Sequence, residues 1–129
     1  LLMSVLRFPD AELTRKTVLK IQSELRVNDP KGSNGFLYRY LRQDDFGSPQ
    51  SAFLICSFWL VQALSRIGES DQAKKTLSEV LRSSNSLGLF AEHYDPKTHA
   101  QFGNFPQAYS HIGLINAAFA VSPPWTEVL

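Results

Sequence analysis

Between Pro49 and Gly68 the chain carries a segment that cannot be left on a surface. Over residues 50–67, Phe53, Leu54, Ile55, Cys56, Phe58, Trp59, Leu60, Val61, Ala63 and Leu64 point in every direction around a helical axis. A helix apolar all round is buried on all sides, so the fold must supply neighbours around it. Its most continuous stretch, 52–61, is only ten residues long and is interrupted by Ser57. That falls short of the ~20 residues a membrane-spanning helix needs.

The flanking segments read differently. Residues 1–6 resemble the last turns of an apolar helix, broken by Phe8-Pro9-Asp10. Asp10 is placed to cap a helix over 11–25, with Glu12 in its first turn and an apolar stripe of Leu13, Val18, Ile21 and Leu25. Residues 28–35 are rich in Asn, Asp, Pro, Gly and Ser and form a turn, 36–41 are expected to be extended, and 43–50 are polar and broken by Gly47 and Pro49. A helix over 71–84 has a single stripe of Ala73, Leu77, Val80 and Leu81. Residues 85–106 read as a loop, and 107–121 as another apolar helix stopped by Pro123-Pro124. Amphipathic helices thus alternate with fully apolar ones. This predicts an all-α fold of two layers, with inner helices at 50–67 and 107–121 and the helix at 71–84 outside them. Bundles and helical barrels both satisfy the pattern.

Composition removes several functions. Thirteen basic residues against twelve acidic ones give a net charge of +1 over 129 residues. Without a basic block there is no electrostatic case for nucleic acid or an anionic membrane surface. One cysteine, Cys56, excludes an internal disulfide framework and a multi-cysteine zinc site. Its position in the apolar helix makes it a packed thiol rather than a nucleophile. The opening residues lack the pattern of a signal peptide, and a cytoplasmic location is the expectation.

The segment 85–106 is about twenty residues long, whereas helix connections in bundles usually take about 2–8. It mixes aromatic and polar side chains, the combination that carbohydrate surfaces use. Here Gly88-Leu89-Phe90-Ala91-Glu92-His93-Tyr94-Asp95-Pro96 and Gly103-Asn104-Phe105-Pro106-Gln107-Ala108-Tyr109-Ser110-His111-Ile112-Gly113-Leu114-Ile115-Asn116 resemble the C-terminal end of glycoside hydrolase family 15. Tyr38-Arg39-Tyr40 and Ala52-Phe53-Leu54-Ile55-Cys56-Ser57-Phe58-Trp59-Leu60 are similar to the block that precedes it. Glucoamylases, glucodextranases and some trehalases form this family.

The resemblance implies an (α/α)6 toroid, of which this chain would be about the last two and a half hairpins in a single partial domain. It implies inverting hydrolysis of terminal α-glucosidic bonds in an α-linked glucoside or oligosaccharide by two carboxyl groups. Glu92 stands where the family has its general base. The general acid belongs to an earlier hairpin, so the isolated chain is expected to be inactive and, with inner helices uncovered, to self-associate. Arg39 resembles a family arginine that binds sugar hydroxyls, and Tyr94 is the aromatic expected beside the substrate. No cofactor or metal is implied, and the spacing of His93, Asp95 and His99 fits no strong zinc signature. Two departures concern the substrate cleft: His93 follows the base where the family often has Glu or Gln, and Ser48-Pro49-Gln50-Ser51 replaces a Gly-Glu-Gly-like turn.

Read without the family, Arg39 is an ion-pair partner for Asp44 or Asp45. His111 is a helix-end or core histidine, Phe58 and Trp59 are core, and Tyr94, Phe102 and Tyr109 are core aromatics with a possible stacking role on sugar. The competing function is a non-catalytic carbohydrate-binding or regulatory helical domain.

Overall fold

A computed structural model describes residues 1–30, 32, 35–45 and 47–127. Lys31, Ser33 and Asn34 of the expected turn, and Phe46 of the polar stretch after it, lie outside the described residues. Among the described residues five α-helices occur in chain order: α1 (Leu2–Val5), α2 (Ala11–Glu24), α3 (Leu54–Arg66), α4 (Ser70–Leu81) and α5 (Ala108–Val121). Three short strands, β1 (Ala52–Phe53), β2 (His93–Asp95) and β3 (Ala100–Phe102), form an antiparallel sheet in the order β1-β2-β3. The fold is mostly helical.

The all-round apolar segment is the centre of this architecture. Leu54, Phe58, Leu60, Val61, Ala63 and Leu64 of α3 are fully buried. α3 packs extensively against both α5 and α4, and also touches α1 and α2. The polar interruption Ser57 has a specific task. It is fully buried, and its Oγ accepts the backbone N–H of Leu37 at 3.1 Å. A backbone donor carried into the core is thereby satisfied, which avoids the cost of leaving it unpaired.

That donor belongs to the segment expected to be extended. Leu37 bridges Arg26 antiparallel. On its two sides the Val27 N–H donates to the Phe36 carbonyl, and the Phe53 N–H donates to the Leu37 carbonyl, each at 2.8 Å. Residues 36–38 therefore stitch the end of α2 to the start of α3. Nearby, the Asp29 carboxylate, 1% exposed, is met by the Arg82 guanidinium at 2.7 Å.

Asp10 caps α2 as its position predicts, accepting the Leu13 N–H at 2.8 Å. The inner stripe of α2 differs from the expected one. Thr14, Val18 and Gln22 are buried, with Ile21 and Leu25 packed beside them, while Leu13 is 47% exposed. Thr14 can face inward because its hydroxyl donates to the Asp10 carbonyl at 2.7 Å, so the inward residue need not be apolar.

Two expectations are corrected. Residues 85–106 are not all loop: β2 and β3 form a hairpin there, closed by a turn in which Asp95 Oδ1 accepts the Lys97 N–H and Oδ2 accepts the Thr98 hydroxyl. Three-residue strands are too short to show a period in sequence, which hid them. The segment 107–121 is not covered all round either. Its small residues Ser110, Gly113 and Ala117 face the core, while Ile112, Ile115 and Phe119 are 53–65% exposed.

Gly113 sets the spacing between α5 and α3. A Cβ there would lie 2.6 Å from Ile55 Cδ1 and 3.1 Å from Phe58 Cβ. A Cβ would force the Ile55 side chain to turn away and press on Phe58, so added bulk at this position must be taken up by moving side chains or by separating the two helices. Gly113→Val is expected to destabilise the fold by about 1–3 kcal/mol, as overpacking of a filled core does. A lowered urea midpoint at unchanged slope would show it.

Candidate active site

Glu92 follows the buried pair Phe90 and Ala91 and precedes β2. Its main chain is held from three directions. The Phe90 N–H donates to His111 Nε2 at 3.4 Å, and the Phe90 carbonyl accepts the Gln107 N–H at 2.9 Å. The Ala91 carbonyl accepts the buried Ser110 hydroxyl at 2.9 Å. Glu92 N–H donates to the Asn104 carbonyl at 3.0 Å, and the Glu92 carbonyl accepts Leu54 N–H at 3.1 Å. The start of α3, the turn after β3 and the first turn of α5 thus fix one carboxylate-bearing residue. His111 Nδ1 lies 2.8 Å from the Gln107 carbonyl. A proton on Nδ1 leaves Nε2 free to accept from Phe90, so the Ser-His pair is structural and sets the backbone beneath Glu92.

The carboxylate is equally well defined. Oε2 accepts both the backbone N–H of Asn104 at 3.2 Å and its side-chain amide at 3.0 Å. Oε1 accepts the Tyr109 hydroxyl at 2.7 Å. Hydrogen bonds donated to a carboxylate favour its charged form. Those from Tyr109 first and Asn104 next hold Glu92 below the usual carboxyl range, against a small opposing effect of burial. Glu92 is therefore an ionised acceptor at neutral pH.

Gly103 makes room for it. At φ +76 the residue is in the left-handed region, and an added Cβ would fall 2.8 Å from Glu92 Oε2 and 3.0 Å from its Cβ. Here glycine is required twice, by the backbone and by the carboxylate.

Arg39 and His93 extend the site. The Arg39 guanidinium lies over the Phe53 ring, 5.3 Å from its centroid. The His93 ring lies 5.0 Å from the same Phe53, with Nδ1 3.3 Å from Ser51 Oγ. Tyr109 approaches Phe53 edge-on at 5.9 Å. One phenylalanine at the end of β1 therefore gathers Arg39, His93 and Tyr109 around Glu92. A groove of about 280 Å³ opens beside them, lined by Arg39, Tyr40, Asp44, Ser48, Ser51 and His93. The larger hollow, about 560 Å³ between α1, α2 and the end of α3, is lined by Arg7, Arg15, Arg66 and Glu12 and contains none of the motif residues.

Of the residues singled out from sequence, Arg39 reaches the neighbourhood of Glu92 through the Phe53 ring beside Tyr109, and Tyr94 turns the other way. The Tyr94 ring is 3% exposed and lies 5.1 Å from Phe36, and its hydroxyl meets His99 Nδ1 at 2.7 Å. On β2 it points to the buried side while His93 and Asp95 flank it, as strand alternation requires. Asp44 is engaged by the Tyr40 hydroxyl. Cys56 is half-buried, and desolvation pushes its thiol up to about 11, which leaves it protonated and inert at neutral pH. In the sequence Gly103 and Asn104 stand out only as parts of a motif, and Tyr109 as a core or sugar-stacking aromatic. Their spacing of 11 to 17 residues from Glu92 gives no sign that they converge on its carboxylate.

Two measurements follow. Gly103→Ala should displace the Glu92 carboxylate and destabilise the chain by about 1–2 kcal/mol, the cost of forcing a residue with a Cβ into the left-handed region; thermal unfolding reads the second effect. His93 titrates below its ordinary 6.5, mainly because burial disfavours the charged ring, with the Glu92 carboxylate pulling the other way. A depressed histidine favours the fold above the unfolded value and loses that contribution as pH falls through the folded one. Stability should therefore drop as pH falls below about 6.5. His93→Gln should remove that part of the pH dependence while leaving the carboxylate-driven loss at lower pH.

Comparison with known proteins bears on this arrangement. The chain is 40% identical over 126 residues to a trehalase of Mycobacterium tuberculosis, covering 94% of this chain and 18% of that protein. It is 41% identical to a trehalase of Mycolicibacterium smegmatis, with the same coverage. To a trehalase of Thermoplasma acidophilum it is 36% identical over 103 residues, 79% of this chain and 17% of that protein. The chain thus spans less than a fifth of the length of these relatives. No solved structure gives a significant match. Residues 4–119 match the model of the Glycosyl hydrolases family 15. With residues 4–119 of its 129 matched, the chain belongs to glycoside hydrolase family 15.

Proposed function

We propose that this chain is the base-carrying C-terminal part of an inverting glycoside hydrolase acting on α-linked glucosides, with Glu92 as general base. The observation that supports this most is the Glu92 carboxylate itself. It is ionised, held in one orientation by Tyr109 and Asn104, and still reachable from solvent. A base that deprotonates water needs these three properties. In an inverting reaction the water oxygen attacks the anomeric carbon, its proton passes to the base, and the glycosidic oxygen leaves with a proton from an acid about 6.5–9.5 Å away. That acid would come from the larger part of the relatives' length that this chain does not span. The open face of α5, with Ile112, Ile115 and Phe119, is where the rest of a helical toroid would seat.

Arg39 suits a sugar-binding role. Its guanidinium offers five donors, and the Phe53 face steadies it beside the groove. Among α-glucosides, α,α-trehalose is favoured, because the relatives that cover most of this chain are named trehalases. Glucoamylase-like cleavage of longer chains is the second reading within the same chemistry. Against a non-catalytic binding domain stands the room that Gly103 leaves for one carboxylate orientation, a feature that binding alone does not need.

The test uses the full-length protein that contains this chain. With trehalose as substrate, Glu92→Gln should lower kcat by about 10²–10⁴-fold while KM changes little, since shape and hydrogen-bonding size are kept and the basic oxygen is lost. Proton NMR of the first products should show one α- and one β-glucose per trehalose for the unaltered enzyme. Near wild-type kcat in Glu92→Gln would place the base elsewhere, and two α-glucoses would exclude inversion.

A further inference from the structure

Tyr109 enters the site from a different element than the base and touches only one of its two oxygens. A carboxylate offers about four lone-pair positions, two on each oxygen. Asn104 supplies both donors to Oε2, through its backbone N–H at 3.2 Å and its amide at 3.0 Å. The Tyr109 hydroxyl, at 2.7 Å, takes one position on Oε1. Among the described residues these three donors leave one lone pair, and it is on Oε1. Resting on the reading of Glu92 as general base, we infer that Tyr109 is the positioning residue of that base: its hydroxyl selects the carboxylate rotamer in which Oε1, and not Oε2, takes the proton of the attacking water.

The phenol is well placed for this. It stands in the first turn of α5, whose next residue, Ser110, is buried and bonded to the Ala91 carbonyl. Its ring is set edge-on to Phe53 at an interplanar angle of 62°, and Phe53 is itself fixed by its N–H on the Leu37 carbonyl. Burial and the neighbouring carboxylate push the phenol far above its ordinary value, so it remains a donor across the whole working range of a glucosidase. In the reaction the water proton goes to Oε1 and Tyr109 keeps its own, so the hydroxyl orients the base without titrating. The same donor is the largest cause of the lowered Glu92 titration. Removing it should therefore make the carboxylate harder to ionise.

Tyr109→Phe in the full-length protein keeps the ring and its contact with Phe53 and deletes only the oxygen. With trehalose as substrate, kcat on the pH plateau should fall by about tenfold, the scale of a lost hydrogen bond to a charged group. KM should change little, and the acid limb of kcat/KM should move to higher pH. The sign follows from the base being active only when ionised: a raised carboxyl loses its charge sooner as pH falls. A purely structural role would lower the unfolding midpoint without moving the acid limb. Fluorotyrosine incorporated at 109 restores a hydroxyl and should return both kcat and the limb toward wild type. If Tyr109→Phe shows wild-type kcat and an unmoved acid limb while Glu92→Gln is inactive, the inference fails and the base assignment stands. If Glu92→Gln itself turns over normally, both fail.

Discussion

The need to surround α3 governs this structure. A helix with apolar side chains in every direction has no face to give to water, and each such side chain contributes about 1.5–3 kcal/mol only when it is covered. α4 and α5 cover two sides, α1 and α2 parts of others, and the extended residues 36–38 lie across its beginning. Placing polypeptide backbone there required a buried acceptor, and Ser57 supplies it. The same packing brings the end of β1 against the hairpin of β2 and β3, with Ala52 opposite Tyr94 and Phe53 opposite His93. The site is therefore a by-product of covering the start of α3: Leu54 donates its N–H to the very carbonyl of Glu92.

Chemistry is divided between rigid parts and an open one. The backbone from Phe90 to Glu92 is bonded to residues of three other segments, and a residue held in this way does not need a tight pocket to keep its geometry. Its carboxylate is bonded on both oxygens yet only partly buried. Arg39, by contrast, is exposed and steadied chiefly by the Phe53 face. Such an arrangement leaves the Arg39 side chain free to move while the Glu92 carboxylate stays fixed, and the two are carried by separate stretches of chain that meet at Phe53.

The helices were legible in the sequence because their signals are local: the Asp10 cap, the breakers at Pro9 and Gly68, and the period of α4; the start of α3 was not, since Ala52 and Phe53, expected in that helix, form β1. The layer assignment of α3 was legible for the same reason. What escaped depended on separation along the chain. Leu13 belongs to a regular apolar stripe yet faces out, because Thr14 satisfies its hydroxyl on the preceding turn and can take the inner place. Tyr94 reads from sequence either as a sugar-stacking or as a core aromatic, and strand alternation turns it into the core. The oxygens of Glu92 are served by Asn104 and Tyr109, 12 and 17 residues away, and only the hairpin that brings them back makes the relation visible. Composition and period say nothing about such returns; the family resemblance singled out Glu92 and did not indicate which residues meet its oxygens.

α5 presents its two ends and two sides to different tasks. Tyr109, Ser110 and His111 in its first turns hold the Glu92 carboxylate and the backbone before it, while Ile112, Ile115 and Phe119 form an exposed apolar side. At 1.5 Å per residue, Tyr109 is about 15 Å along the axis from Phe119. The helix is in this sense a lever. A tilt of about 5° pivoting near Phe119 carries the phenol by about 1.3 Å, enough to break a hydrogen bond of normal length. Anything seated against the apolar side would therefore set the aim of the Glu92 carboxylate from a distance, and a poor fit there would draw the phenol away from Oε1 while leaving every residue of the site in place.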